Sequence, residues 1–99
     1  MVAKQFGRNL FVMRGMLGMS QTELATRAQL HRTEIGLLEN GKRLPRIDTL
    51  MKLVGALEAD PRDLLFGIVW QPVENPSGYF HGSHWVKRPG RGRGRKRAS

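Results

Sequence analysis

The residues best placed to do chemistry lie on one side of a short predicted helix near the middle of the chain. Ile35 and Leu38 are one helical turn apart, which predicts that both point inward. The opposite, outward face carries a guanidinium, a hydroxyl and an amide and almost no carboxylate, on Arg32, Thr33, Gly36, Leu37 and Asn40. This face therefore presents hydrogen-bond donors and little negative charge.

A second chemical feature is the basic end of the chain. The 99 residues carry a formal net charge of +9, and seven basic residues fall within the last thirteen positions. The other ten basic residues face eight acidic ones, which leaves the first 86 residues at +2. This asymmetry favours a polyanionic partner such as nucleic acid, although a basic tail can also serve solubility alone.

Several start and stop signals place these residues on helices. Ser20 and Glu23 form a capping box, so a helix begins at Gln21, and Gly41 is a typical residue for closing the next helix. A first helix, from Lys4 to Leu17, has an apolar stripe at Phe6, Leu10, Met13 and Leu17. A fourth helix has helical spacing at Ile47, Leu50, Leu53, Val54 and Leu57. Asp60 caps a fifth helix, which has Pro61 at its first position and is predicted to run through Phe66.

The chain resembles the Cro/phage-repressor-like (XRE-type) helix-turn-helix DNA-binding family from about Phe6 to Leu65. The resemblance is carried by Arg14, Ser20, Gln21, Leu24, Ala25, Ile35, Leu38, Glu39, Asn40, Gly41, Lys42, Pro45, Thr49, Leu50, Ala56 and Leu57. It implies an all-α, five-helix lambda-repressor-like domain over residues 1–66, in a bacterial or phage protein. A short β-type extension over residues 67–86 and a disordered tail over residues 87–99 complete the predicted organisation.

The resemblance also implies roles for individual residues. Helix 3 would lie in the major groove, with base reading by Arg32, Thr33, Gly36 and Leu37. The implied phosphate contacts are Ser20, Gln21, His31, Asn40, Lys42, Arg43 and Arg46. Gln21 is also expected to brace Arg32. Arg14 is expected to form a partly buried ion pair with Glu39, and the alternative for Leu37 is burial against a neighbouring helix.

Two residues depart from the family pattern in the turn before helix 3. Gln29 stands where a glycine is usual, and His31 stands where a serine-like cap is usual. A residue with a side chain in a left-handed turn and a missing cap each cost about 1 kcal/mol.

The segment from residue 67 to residue 86 gives the weakest indication of its structure and role. Ile68 to Trp70 is a β-type run, and the turn-rich stretch that follows favours a small hairpin. We expect the segment either to support dimerisation or to patch the core with Trp70 and Phe80. His81 and His84 have no third ligand type beside them, so no metal or cofactor is expected.

The Arg/Gly-rich tail is predicted to contact nucleic acid through Arg91, Arg93, Arg95, Lys96 and Arg97. Arg91-Gly92-Arg93 resembles the core of the AT-hook, which lies in the minor groove of A·T-rich DNA. Gly94 stands where the AT-hook has proline, so phosphate attraction is better supported than groove insertion, and RNA remains an alternative partner.

These features predict a transcriptional regulator, not an enzyme, that binds double-stranded DNA as a homodimer on an inverted repeat. The alternatives are an antitoxin-type autoregulator that binds a protein partner through residues 67–86, and an RNA-binding protein. Cysteine is absent, which excludes disulfides and thiolate chemistry. No apolar run approaches the length of a membrane span, and there is no signal-peptide core, so we expect a cytoplasmic protein without a membrane partner.

Overall fold

The computed structural model describes residues 2–72 and 79–81 of the chain. Five helices precede two short strands, as the sequence predicts for the all-α domain and its β-type extension. The elements are α1 (Val2–Met16), α2 (Gln21–Ala28), α3 (Arg32–Glu39), α4 (Ile47–Leu57), α5 (Pro61–Leu64), β1 (Val69–Gln71) and β2 (Tyr79–His81). Among these residues, no helix is both long and apolar enough to cross a membrane.

The helices pack around one apolar core to which every helix contributes. Its largest fully buried side chains are Phe6, Leu10, Leu24, Ile35, Leu38, Leu53 and Leu64. Short amphipathic helices of this kind are stabilised mainly by burying their apolar faces against one another. The core therefore fixes the position of α3, whose inward residues are Ile35 and Leu38, as predicted.

The helix starts are capped largely as the sequence predicts. The Ser20 hydroxyl accepts a hydrogen bond from the Glu23 N–H at 3.0 Å, and the Asp60 carboxylate accepts one from the Arg62 N–H at 2.8 Å. The Glu23 carboxylate does not return the capping bond within the described chain but lies 3.4 Å from Arg27. Only half of the predicted capping box therefore forms.

Three predictions are wrong at the ends of helices: the burial of Leu17, the burial of Ile47, and the extension of the fifth helix through Phe66. Leu17 is 50% exposed, because Gly18 takes a left-handed conformation (φ +68°) and the chain turns inward at Met19 instead. Ile47 opens α4 and is 76% exposed, since the first turn of the helix projects beyond the core. Helix α5 ends at Leu64, before Phe66, which is 64% exposed.

The two strands form an antiparallel hairpin in the extension. Val69 pairs with His81, Trp70 with Phe80, and Gln71 with Tyr79. Trp70 is 48% exposed and lies outside the buried core, whereas Ile68 packs against that core. The predictions for His84 and for the basic tail fall on residues 82–99, outside the described residues.

Candidate nucleic-acid interface

The turn between α2 and α3 forms without the usual glycine. Gln29 adopts a left-handed conformation (φ 57°, ψ 46°) and closes α2 through its backbone N–H. The Leu30 N–H then donates to the Ala25 carbonyl at 2.9 Å, which completes the closure of the helix. The departure at Gln29 therefore leaves the turn geometry intact.

Helix α3 begins without a side-chain cap among the described residues. His31 occupies the capping position in an extended conformation (φ −76°, ψ 145°), and its imidazole makes no capping hydrogen bond. The side chains of His31, Arg32 and Thr33 are exposed at this end of the helix. Because the first N–H groups of a helix attract anions, this open end suits a phosphate or an acceptor on a base edge.

The outward face of α3 is accessible at the positions predicted to read bases. Arg32 and Thr33 are exposed, and Gly36 and Leu37 are partly buried further along the helix. A Cβ atom added at Gly36 would meet no described atom within 4 Å, so the space beside this glycine is open. Leu37 is neither fully buried nor fully exposed, so part of its side chain remains accessible on this face.

Arg14 and Glu39 form the ion pair that the sequence predicts between α1 and α3. Arg14 Nε lies 2.6 Å from Glu39 Oε2, and Arg14 Nη2 lies 3.0 Å from Glu39 Oε1. A third donor of Arg14, Nη1, reaches the Met19 carbonyl at 2.8 Å. The hydrogen bonds and charge of Glu39 raise the pKa of Arg14 above its ordinary value. This bidentate geometry ties the start of α2 and the end of α3 to α1.

Gln21 connects this ion pair to the exposed face of α3. Its Nε2 donates to Glu39 Oε1 at 3.0 Å, and its Oε1 accepts from Arg32 Nη1 at 2.8 Å. The sequence predicts the contact of Gln21 with Arg32 but not the contact with Glu39. The side chains therefore form a continuous path from Arg14 in α1 to Arg32 at the start of α3.

A second ion pair, which the sequence does not predict, lies on the other side of α3. Glu34 pairs with Arg43 in the loop after α3, and both side chains are more exposed than those of Arg14 and Glu39. Their spacing of nine residues across a loop gave no helical signal. Arg46 is also engaged with an acid, at 3.6 Å from Asp48, whereas Lys42 and Asn40 are exposed beside them.

Helix α1 approaches the C-terminal end of α3 closely at Gly7. A Cβ atom added there would lie 2.4 Å from the Leu38 carbonyl oxygen and 2.6 Å from that of Glu39. The sequence does not show this role, because a glycine inside a helix does not by itself reveal its neighbour. The two backbones can approach this far only because residue 7 has no side chain.

The acidic and imidazole side chains of the described residues do not cluster. No group of three or more His, Cys, Asp or Glu residues within that part could hold a metal ion. Hydrogen bonds from Arg62 lower the pKa of Asp60 to about 2, so this carboxylate is an ionised helix cap.

Comparison with known proteins places this geometry in a family. The helix-turn-helix family model matches residues 12–64. Control protein C.BamHI of Bacillus amyloliquefaciens is 45% identical over 47 residues, which are 48% of this chain and 58% of that protein. The chain thus matches little more than half the length of this relative.

Solved structures agree with the family match. The restriction-modification controller protein C.AhdI from Aeromonas hydrophila is 35% identical, with a TM-score of 0.61 over 63% of this chain and 94% of that one. The clp gene regulator ClgR from C. glutamicum is 25% identical, with a TM-score of 0.63 over 66% and 84% of the two chains. The family match spans α2, the turn and α3, so the chain belongs to the XRE-type helix-turn-helix family of DNA-binding transcription regulators.

Proposed function

We propose that the protein binds an inverted repeat in double-stranded DNA as a homodimer and regulates transcription from a nearby promoter. The observation that carries this proposal is the exposed guanidinium of Arg32, held by Gln21 at the open start of α3. In helix-turn-helix proteins the N-terminal residues of the second helix contact base edges in the major groove. Such a regulator acts where the DNA is, in the bacterial cytoplasm.

Arg32 is the proposed main base reader. Its fork matches the N7 and O6 acceptors of guanine, and a good bidentate contact is worth roughly 1 to 3 kcal/mol of discrimination. Thr33 follows at the same end and can bond a base or touch a thymine methyl. Gly36 leaves room for close approach, and the exposed part of Leu37 suits a thymine methyl group.

Phosphate contacts on both sides of α3 would fix the position of this helix relative to the base pairs. Gln21 retains a second N–H on Nε2 that can donate to a phosphate while the first donates to Glu39. Ser20 and His31 border the same side. The opposite side has Asn40, Lys42, Arg43 and Arg46, of which Arg43 would exchange its contact with Glu34 for a phosphate.

A homodimer is proposed because one α3 helix contacts too few base pairs to select a site in a genome. Val12, Met16 and Phe66 line a cleft of about 620 Å³ between α1 and α5. On α1 this cleft lies on the opposite side from Gly7, which faces α3, so a second copy seated there leaves both recognition helices free. Residues 67–86 are the alternative dimerisation segment.

Sedimentation of two methionine variants tests this surface. Met16→Glu places a charge in the cleft, whereas Met51→Glu places the same charge on an exposed position of α4. We expect Met16→Glu alone to weaken self-association. Equal self-association of both variants would indicate that the dimer contact lies in residues 67–86 or on another surface.

We further propose that the regulated genes encode a restriction–modification system. Two of the similar proteins are named as a control protein and as a restriction-modification controller protein. We expect the selected DNA site to occur upstream of genes for a modification methyltransferase and its endonuclease. A site found only at unrelated promoters would restrict the proposal to general transcription regulation.

The basic tail is proposed to add affinity without sequence information. Each phosphate contact contributes about 0.9 to the slope of log affinity against log salt. Deletion of residues 87–99 should therefore lower this slope and leave the preferred sequence unchanged. A changed consensus would contradict this division of roles, and tighter binding of RNA than of the selected duplex would favour the RNA alternative.

Selection from random duplex DNA tests the whole proposal. The full-length protein is used at about 150 mM salt, where phosphate attraction alone is weakened. We expect an inverted repeat with guanine in each half-site and half-site centres roughly 34 Å apart. Failure to enrich any sequence would indicate a nonspecific nucleic-acid binder or a module that binds protein.

A further inference from the structure

A path of charged and polar contacts runs from a nearly buried ion pair to the exposed base reader. Glu39 is only 4% exposed and accepts hydrogen bonds from Arg14 and from Gln21. Gln21 in turn accepts one from Arg32. Each of these contacts joins a donor to an acceptor, so the four side chains form one connected hydrogen-bond network.

The chemistry of the end members gives the Gln21 amide a single orientation. A carboxylate only accepts hydrogen bonds and a guanidinium only donates them. With Glu39 on one side and Arg32 on the other, the amide must direct Nε2 to the carboxylate and Oε1 to the guanidinium. The reversed amide would place oxygen against oxygen and N–H against N–H.

We propose that Glu39, held by Arg14, is a positioning residue for base recognition that orients Arg32 through the Gln21 amide. This inference rests on the proposed reading of guanine by Arg32. Glu39 lies at the end of α3 away from the open N-terminus and acts without touching a base. Its role is therefore to determine specificity and not only to join α1 to α3.

The physical basis is the preorganisation of a flexible side chain. A free arginine samples many rotamers and loses this freedom when its fork engages a base. A guanidinium already held on one nitrogen by Gln21 loses less freedom on meeting guanine. It is also less free to move to positions that suit other bases, which disfavours the wrong sequence.

Glu39→Gln tests this inference with little change of shape. A glutamine at position 39 can present either an oxygen or an N–H to Gln21, so the amide of Gln21 loses its single orientation. Glu34→Gln is the matched control because Glu34 lies on the same helix and is also paired with an arginine, but is not hydrogen-bonded to Gln21 or Arg32. Dissociation constants are measured for the selected duplex and for one in which adenine replaces the guanine assigned to Arg32.

The ratio of the two dissociation constants is the result that matters. We expect wild type and Glu34→Gln to discriminate about ten- to hundredfold, as a bidentate contact to guanine does. Glu39→Gln should reduce this ratio at least threefold. In an Arg32→Ala background, Glu39→Gln should leave the ratio unchanged, because its effect passes through Arg32.

Gln21→Ala is a second variant that tests the same inference if Glu39→Gln does not fold. It removes the connection at its exposed side and should lower the ratio as well as the affinity for both duplexes. A folded Glu39→Gln or Gln21→Ala protein with the wild-type ratio overturns the inference. Wild-type protein that does not discriminate at all overturns the reading by Arg32, and the inference with it.

Discussion

Helix α3 carries a glutamate paired with an arginine on each of two sides, and the two pairs differ in their surroundings. The side chains of Arg14 and Glu39 are 14% and 4% exposed, and Gln21 and the Met19 carbonyl complete their hydrogen bonds. The side chains of Arg43 and Glu34 are 54% and 20% exposed, so this pair is more accessible to solvent.

A glutamate–arginine pair therefore serves two different purposes in this one interface. A buried and fully hydrogen-bonded pair fixes one arrangement of the helices, because neither partner can leave without exposing an unpaired charge. An exposed pair gains little from its contact, so its arginine can exchange a carboxylate for a phosphate. The Arg14 side therefore positions α3, and the Arg43 side is available to bind.

The strongest test of this comparison removes the acid from each pair. Glu39→Ala leaves Arg14 as a nearly buried charge and should destabilise the protein by about 3 kcal/mol. Glu34→Ala should cost under about 1 kcal/mol, because Arg43 returns to water. Urea unfolding of both variants measures the difference, and equal losses would contradict the distinction between the two sides.

Gly7 allows a second test of how firmly α1 holds α3. Gly7→Ala drives a Cβ atom into the carbonyl oxygens of Leu38 and Glu39 and should destabilise the protein by about 1 to 3 kcal/mol, despite the better helix propensity of alanine. Gly15→Ala, in the same helix with no described atom within 4 Å of the new Cβ, should be neutral or stabilise by up to about 1 kcal/mol. Thermal unfolding distinguishes them, and stabilisation of both variants would mean that α1 and α3 can separate at no cost.

A cap added at the open start of α3 is expected to change the stability by less, and to increase it. His31→Ser supplies the missing cap and should stabilise the protein by about 0.5 to 1 kcal/mol, whereas Ser20→Ala removes an existing cap and should destabilise it by about 1 kcal/mol. Denaturant midpoints of the two variants provide the measurement. No gain from His31→Ser would indicate that the start of α3 is already satisfied by water.

The exposed pair of Asp60 and Arg62 is expected to contribute least to stability, and its contribution should depend on pH. The pKa of Asp60 is lowered to about 2, so its ionised form favours the folded state. This stabilisation is complete above the ordinary carboxylate pKa of 3.8 and is lost as the pH falls through about 2. The small Tm difference between wild type and Asp60→Asn should shrink over that interval, and a difference that grows instead would contradict this sign.

Much of the domain could be predicted because the signals are local. Ser20, Asp60 and Pro61 act within one turn of their own position, and Leu24, Ile35, Leu38 and Leu53 occupy the buried faces that their spacing indicates. The errors at Leu17, Ile47 and Phe66 arise at helix ends. At Leu17 and Ile47 the apolar periodicity continues in the sequence beyond the part of the helix that the core covers, whereas α5 ends at Leu64, before Phe66.

The candidate site was predictable only in part, because its parts meet through tertiary contacts. Arg14, Glu39, Gln21 and Arg32 were identified through the family resemblance, but the bond between Gln21 and Glu39 depends on how α1, α2 and α3 pack together. The same holds for Arg43 with Glu34 and for buried Asn9, whose amide donates to the Leu64 and Phe66 carbonyls. Neither contact has a spacing that a sequence pattern reveals.

Removal of one acceptor from the guanine tests whether Arg32 reads that base through its guanidinium fork. The selected duplex is compared with one that carries 7-deazaguanine, which lacks only the N7 acceptor, for wild type and for Arg32→Ala. We expect the modified duplex to bind wild type about five- to tenfold more weakly, and to bind Arg32→Ala as well as the natural duplex does. Equal weakening of both proteins, or of neither, at every guanine of the half-site would contradict the claim.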